Sequence, residues 1–135
     1  MPGFTLLVHD AALAIARLGP GEAVPAWAWE GPLSAIVRTP AELSIVCPSS
    51  SVPAGVTVEG PWRALEVAGP LSFALTGVIH ALSAPLAAAG ISLFVVSTFD
   101  TDYLLVRAGD VEAACAALGG AGHTVRPVSS RTPAG

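Results

Sequence analysis

The chain has 135 residues, 53% hydrophobic and only 12% charged, with a formal net charge of −4. That length can bury a core without staples, as one compact domain or two small half-domains, and every apolar run is broken before the roughly 18 residues of a membrane-spanning helix, so no membrane association is expected. All six basic residues are isolated arginines and lysine is absent, which removes the electrostatic footprint of nucleic-acid binding and leaves an apolar surface suited to a homo-oligomer or a protein partner.

In chain order, Met1-Pro-Gly-Phe4 carries no basic stretch followed by an apolar run, so a cytoplasmic location is expected. Residues 1–60 read as strands over Phe4 to His9, Leu13 to Leu18, Leu33 to Arg38 and Glu42 to Cys47, separated by Pro- and Gly-rich turns. Pro25 to Trp29 and Ser49 to Val52 read as single helical turns. This half looks like a version of the second with shortened helices. Cys47 in an apolar run and Cys115 in an Ala-rich one read as small buried hydrophobes rather than a bridge or a metal site. Trp27, Trp29 and Trp62 are expected to anchor a core or an interface.

Residues 61–128 are more regular. Trp62 to Ala68 alternates as a strand between two Gly-Pro pairs. Leu71, Leu75, Val78 or Ile79, Leu82 and Leu86 recur at helical spacing, which predicts a helix from about Leu71 to Ala89, capped by Gly90 and kinked or broken near Leu82-Ser83 by Pro85. Ile91 to Phe99 and Thr101 to Ala108 then form a hairpin. Asp110 caps a second helix ended by Gly119-Gly120, and His123 to Val128 is a final strand before a frayed tail, 129–135. The order is βαββαβ, an α+β, ferredoxin-like arrangement with both helices on one face of an antiparallel sheet.

The polar chemistry is concentrated in the turn Ser97-Thr-Phe-Asp-Thr-Asp102. Asp102 or Asp100 can pair with an ammonium or guanidinium group, a contact that contributes about 1.5–3 kcal/mol, with hydroxyls of Ser97, Thr98 and Thr101 completing the shell. Alternatively, Asp100 and Thr101 simply make the turn. Gly69-Pro-Leu-Ser72 leads into the helix, where Ser72 either caps free N–H groups or yields them to an amino acid's carboxylate. Gly77 inside a helix pattern costs about 1 kcal/mol against alanine, so close approach of a ligand or of neighbouring backbone is expected there. His9, His80 and His123 fall in three elements without ligand spacing, and His80 reads as a partly buried helix residue. No nucleophile motif, phosphate loop or dinucleotide fingerprint is present, so neither catalysis nor a cofactor is expected.

Gly69-Pro-Leu-Ser-Phe-Ala-Leu-Thr-Gly-Val-Ile79, followed by Gly90-Ile-Ser-Leu-Phe-Val-Val-Ser-Thr-Phe-Asp-Thr-Asp-Tyr-Leu-Leu-Val106, resembles a branch of the ACT-domain superfamily. That branch also supplies modules to the arginine sensors called CASTOR proteins and occurs as short free-standing bacterial proteins, which share a segment like Arg38-Thr39…Glu42-Leu-Ser-Ile-Val-Cys47. The resemblance implies tandem ACT-like units, the first abbreviated (1–60) and the second complete (61–128). It also implies a regulatory role: an amino acid bound at an interface between modules. By matching positions it points to Thr98, Phe99, Asp102, Gly77 and Val78 as ligand contacts, beside Ser72.

Overall fold

The computed structural model describes residues 3–72 and 74–130; most of the expected tail, 131–135, lies outside them. In chain order the elements are β1 (Thr5–Val8), β2 (Leu13–Leu18), β3 (Ala35–Arg38), β4 (Leu43–Pro48), β5 (Thr57–Val67), α1 (Val78–Ala88), β6 (Phe94–Ser97), β7 (Asp102–Arg107), α2 (Val111–Gly120) and β8 (Thr124–Pro127). Short 3₁₀ turns interrupt them at Ala26–Trp29, Ser49–Ser51, Ala108–Asp110 and Val128–Ser130. The chain divides into two compact units, Ala11–Trp62, and Met1–Asp10 together with Arg63–Gly135.

The unit formed by residues 11–62 has the strand order β3-β4-β2-β5, and its three pairings are antiparallel. Its chain order is strand, 3₁₀ turn, strand, strand, 3₁₀ turn, strand, so each helix of a βαββαβ unit is reduced to one turn. Pro25 and Pro48 immediately precede these turns, at helix starts where a missing N–H does no harm. Ala16, Ala28, Leu43, Ile45 and Cys47 form its core. Of the tryptophans, Trp62 is buried, Trp27 half-buried and Trp29 exposed.

The other unit carries β5, α1, β6, β7, α2 and β8 in the expected βαββαβ order, with strands arranged β8-β1-β5-β7-β6. β1 departs from the expectation that the sheet is purely antiparallel. It lies between β5 and β8, antiparallel to the first (Leu6 opposite Val67) and parallel to the second (Leu6 opposite Val125). Its composition accounts for the place: successive residues Leu6 and Leu7 are both buried, so both faces are apolar, as a central strand requires.

One face of this sheet packs under both helices. Leu6, Leu65, Val67, Leu104 and Val106 meet Val78, Leu82 and Leu86 of α1 and Val111, Ala114 and Leu118 of α2. Spacings of three and four on the helices and two on the strands bring these residues together, and truncating any of the buried leucines to alanine costs about 2–5 kcal/mol.

Both helices end in the same way. After α1, Gly90 takes φ +74°, its N–H reaches the Ala87 carbonyl at 3.0 Å, and the N–H of Ile91 reaches Leu86 at 3.0 Å. After α2, Gly122 takes φ +96°, with N–H bonds from Gly122 to Gly119 and from His123 to Leu118, both 3.1 Å. These are Schellman closures. They leave α2 ending at Gly120, as the Gly119-Gly120 pair suggests, and start β6 at Phe94, since Ile91 serves as a helix closure.

Pro85 does not break α1. It lacks the N–H that would bond the carbonyl of Ala81, and that carbonyl instead accepts from His123 Nε2 at 3.2 Å. His123 Nδ1 accepts the N–H of Phe4 at 3.0 Å, so the ring is the neutral tautomer with its proton on Nε2. The buried ring, stacked 5.8 Å from Phe4, thus ties α1, the end of α2 and the entry to β1 together.

Candidate functional site

The four-residue turn 98–101 between β6 and β7, flanked by the paired Ser97 and Asp102, is closed by its own hydroxyls. Thr98 N–H donates to the Thr101 carbonyl at 2.8 Å, Thr98 Oγ1 donates to the same carbonyl at 3.1 Å, and the N–H of Thr101 returns to Thr98 Oγ1 at 3.2 Å. Thr101 is buried and its Oγ1 donates to the Val67 carbonyl at 2.6 Å, anchoring the turn to the end of β5. Asp102 is half-buried and accepts from Ser97 Oγ at 2.6 Å, while Asp100 and Phe99 are exposed, Phe99 to 80%.

Facing the turn is the segment between β5 and α1. Leu71 N–H bonds the Asp100 carbonyl at 2.7 Å. A side chain on Gly69 would come within 3.2 Å of that carbonyl and 3.3 Å of Thr101 Cβ, so glycine permits the close approach. The segment does not begin the helix, as the Leu71/Leu75 spacing predicts. Ser72 instead makes a turn of its own, its Oγ accepting from Ala74 N–H at 3.1 Å and its carbonyl from Leu75 N–H at 3.0 Å.

The helix starts at Gly77, which takes φ +76° and precedes Val78. Gly77 is therefore its N-terminal boundary rather than an interior residue. A Cβ there would meet open space, so the glycine answers a left-handed backbone and not tight packing. No side chain caps this end, so the free N–H groups of the first turn and the positive end of the helix dipole are open to an anion.

Turn and helix start enclose a cleft of about 530 Å³, within the usual range for a small-molecule site. All six residues singled out from the sequence, Ser72, Gly77, Val78, Thr98, Phe99 and Asp102, line it, together with Leu75, Ile79 and His80. Their parts differ. Val78 sends its side chain into the core cluster, leaving its backbone for the cleft. The hydroxyl of Thr98 is occupied within the turn. His80 is exposed at the rim and not partly buried as expected. Its position follows from the helical period, which puts residue 80 about 200° round the axis from Val78 and Leu82.

Sequence reading missed a second polar pair in this unit. His9 Nε2 lies 2.8 Å from Glu66 Oε1, with Tyr103 tilted against the imidazole at 5.9 Å. Fifty-seven positions separate the pair, and only the β1–β5 pairing brings them together.

Residues 57–119 match the family profile described as ACT domain. The chain carries a domain of the ACT superfamily. Residues 11–55 match a separate family of N-terminal domains, so the ACT match begins with β5 and the preceding unit has a family of its own. Among solved structures, this ACT protein is similar to a protein from Agobacterium tumefaciens at 43% identity, with 93% of each chain covered and a TM-score of 0.87. A protein of unknown function from Vibrio cholerae, described as a possible transport protein, is 20% identical with a TM-score of 0.74, covering 89% of this chain and 91% of that one. Aspartokinase alpha and beta subunits are 16% identical with a TM-score of 0.60, covering 88% of this chain and 96% of theirs; these last two share the fold. Among curated proteins nothing matches. No helix of the described residues is long and apolar enough to cross a membrane.

Proposed function

We propose that this ACT protein is a non-catalytic, cytoplasmic regulatory module that binds an amino acid in the cleft between the 97–102 turn and the start of α1. The observation that carries the reading is the pairing of opposite polarities in one cleft: an uncapped helix N-terminus at Gly77–Val78 and the half-buried carboxylate of Asp102. The first suits an α-carboxylate and the second an ammonium or guanidinium group. His80 and Asp102 share the cleft without a hydrogen bond between them, and Asp102 is engaged by Ser97 instead, so no oriented acid–base couple supports catalysis.

Around the polar groups stand Phe99, Leu75 and Ile79, exposed to 80%, 47% and 37%. A second ACT module covering this apolar rim, supplied by another copy in a homo-oligomer, completes the site in this reading. The same rim favours a second reading, a protein-interaction module without a small ligand.

Thermal-shift measurement with each of the twenty amino acids at millimolar concentration separates them. Under the first reading at least one amino acid stabilises the protein by about 1 kcal/mol or more, and Asp102→Ala removes the effect while leaving the fold intact. If no amino acid shifts the melt, or Asp102→Ala responds like the parent, the ligand reading fails. Co-purification of a protein partner that Asp102→Ala retains then supports the second.

A further inference from the structure

A second cleft, of about 610 Å³, opens between α2 and the sheet, away from the 97–102 turn. Its floor is Val8 of β1 and Val125 of β8, which the parallel β1–β8 pairing puts on one face as diagonal neighbours, two positions apart in register. Its roof is the α2 stretch carrying Cys115, Ala116 and Gly119, side chains too small to fill the space above two valines. Arg63 and Arg126 stand at its rim, two of the six cations of a chain with net charge −4.

These arginines are unequally committed. Arg63 donates from Nε to the His9 carbonyl at 3.0 Å and from Nη2 to Asp10 Oδ1 at 3.4 Å, leaving three of its five N–H groups for another acceptor. Arg126 is exposed and has no ion-pair or hydrogen-bond partner among the described residues. Asp10, its side chain 87% exposed, is the one carboxylate on the lining, so the rim carries an excess of positive charge.

We infer that this cleft is a second ligand site, taking a small organic anion whose carboxylate is held by Arg63 and Arg126 and whose apolar body lies against Val8, Val125 and Ala116. Guanidinium groups bind carboxylates through paired N–H donors, and the hollow, roughly twenty water volumes in size, accepts an aliphatic or aryl body behind that head group. The surroundings of Cys115 agree with this placement: burial pushes its thiol above the ordinary value, and the nearby positive charge of Arg63 opposes the shift. The polarity is opposite to that of the Asp102 cleft, so the two sites select different chemistry and this inference stands apart from the amino-acid reading.

Titration of ¹⁵N-labelled protein with hexanoate, followed by amide shifts, tests it. Hexanoate moves the amides of Ala116, Gly119 and Val125 saturably at millimolar concentration, whereas hexylamine leaves them in place. Arg126→Gln, a change at an exposed position, weakens hexanoate about tenfold. Ala116→Leu, also at an exposed position, fills the hollow and abolishes the response without lowering the melting temperature. Asp102→Ala leaves the hexanoate response unchanged. The inference is overturned if these amides do not move, if hexylamine moves them equally, or if either cleft variant binds hexanoate like the parent.

Discussion

Thr101 and Asp102 are neighbours with different tasks. Thr101 is buried with its hydroxyl on the Val67 carbonyl, so it holds the turn in position; Asp102 is half-buried at the cleft and brings a carboxylate to it, beside the exposed Asp100. Thr101→Val keeps the shape but leaves that carbonyl without its partner, and should destabilise the protein by about 1–3 kcal/mol in a denaturant titration. Gly77→Ala should cost about 1–2 kcal/mol for a different reason, since it forces a side chain onto a left-handed backbone in a spot where nothing obstructs it. A melt unchanged by Gly77→Ala would show that the helix start has shifted. The turn was conspicuous in the sequence because so few residues of this chain are charged. The division of labour within it was not, because Thr98 and Thr101 read alike until the strand ends that they face are known.

At the scale of elements, α1 shows how a proline is tolerated inside a helix. The Ala81 carbonyl released by Pro85 is taken by His123, itself placed by the Schellman closure of α2. In a Pro85→Ala background the restored amide can serve Ala81, so His123→Ala should destabilise less there than in the parent. The double-mutant cycle should give a coupling of about 0.5–1.5 kcal/mol; a coupling near zero would show that the His123–Ala81 bond contributes nothing. The part of β5 from Trp62 onward, the hairpin and both helix bodies were legible because alternation and three-four spacing are local signals, but β5 begins at Thr57 and runs through the Gly60-Pro61 pair expected to bound it. The start of α1 was misread because Leu71 and Leu75 continue the helical spacing through a loop. The unbroken helix at Pro85 was out of reach, since its repair comes from a residue 42 positions away.

At the scale of the whole molecule, the chain's first strand belongs with its last. β1 pairs with β5 over three positions and with β8 over four, so it supplies ladder partners to two strands at once. A fragment beginning at Thr57, although it contains the complete βαββαβ order, should therefore fail to fold, leaving two ladder faces and the core contacts of Leu6 unfilled; adding residues 3–10 as a separate peptide should restore helical circular dichroism. A well-folded fragment without the peptide would show that β8 can close directly on β5. The pairing of β1 could not be read from its sequence, whose apolar pattern names a central strand but not its neighbours. The two units also carry different built-in reporters. All three tryptophans lie within residues 11–62, whereas both α-helices and the single tyrosine, Tyr103, lie in the other unit. Indole emission and the 222 nm helical signal therefore follow separate halves of the chain, and comparing the two melting curves measures directly whether those halves unfold in one cooperative step.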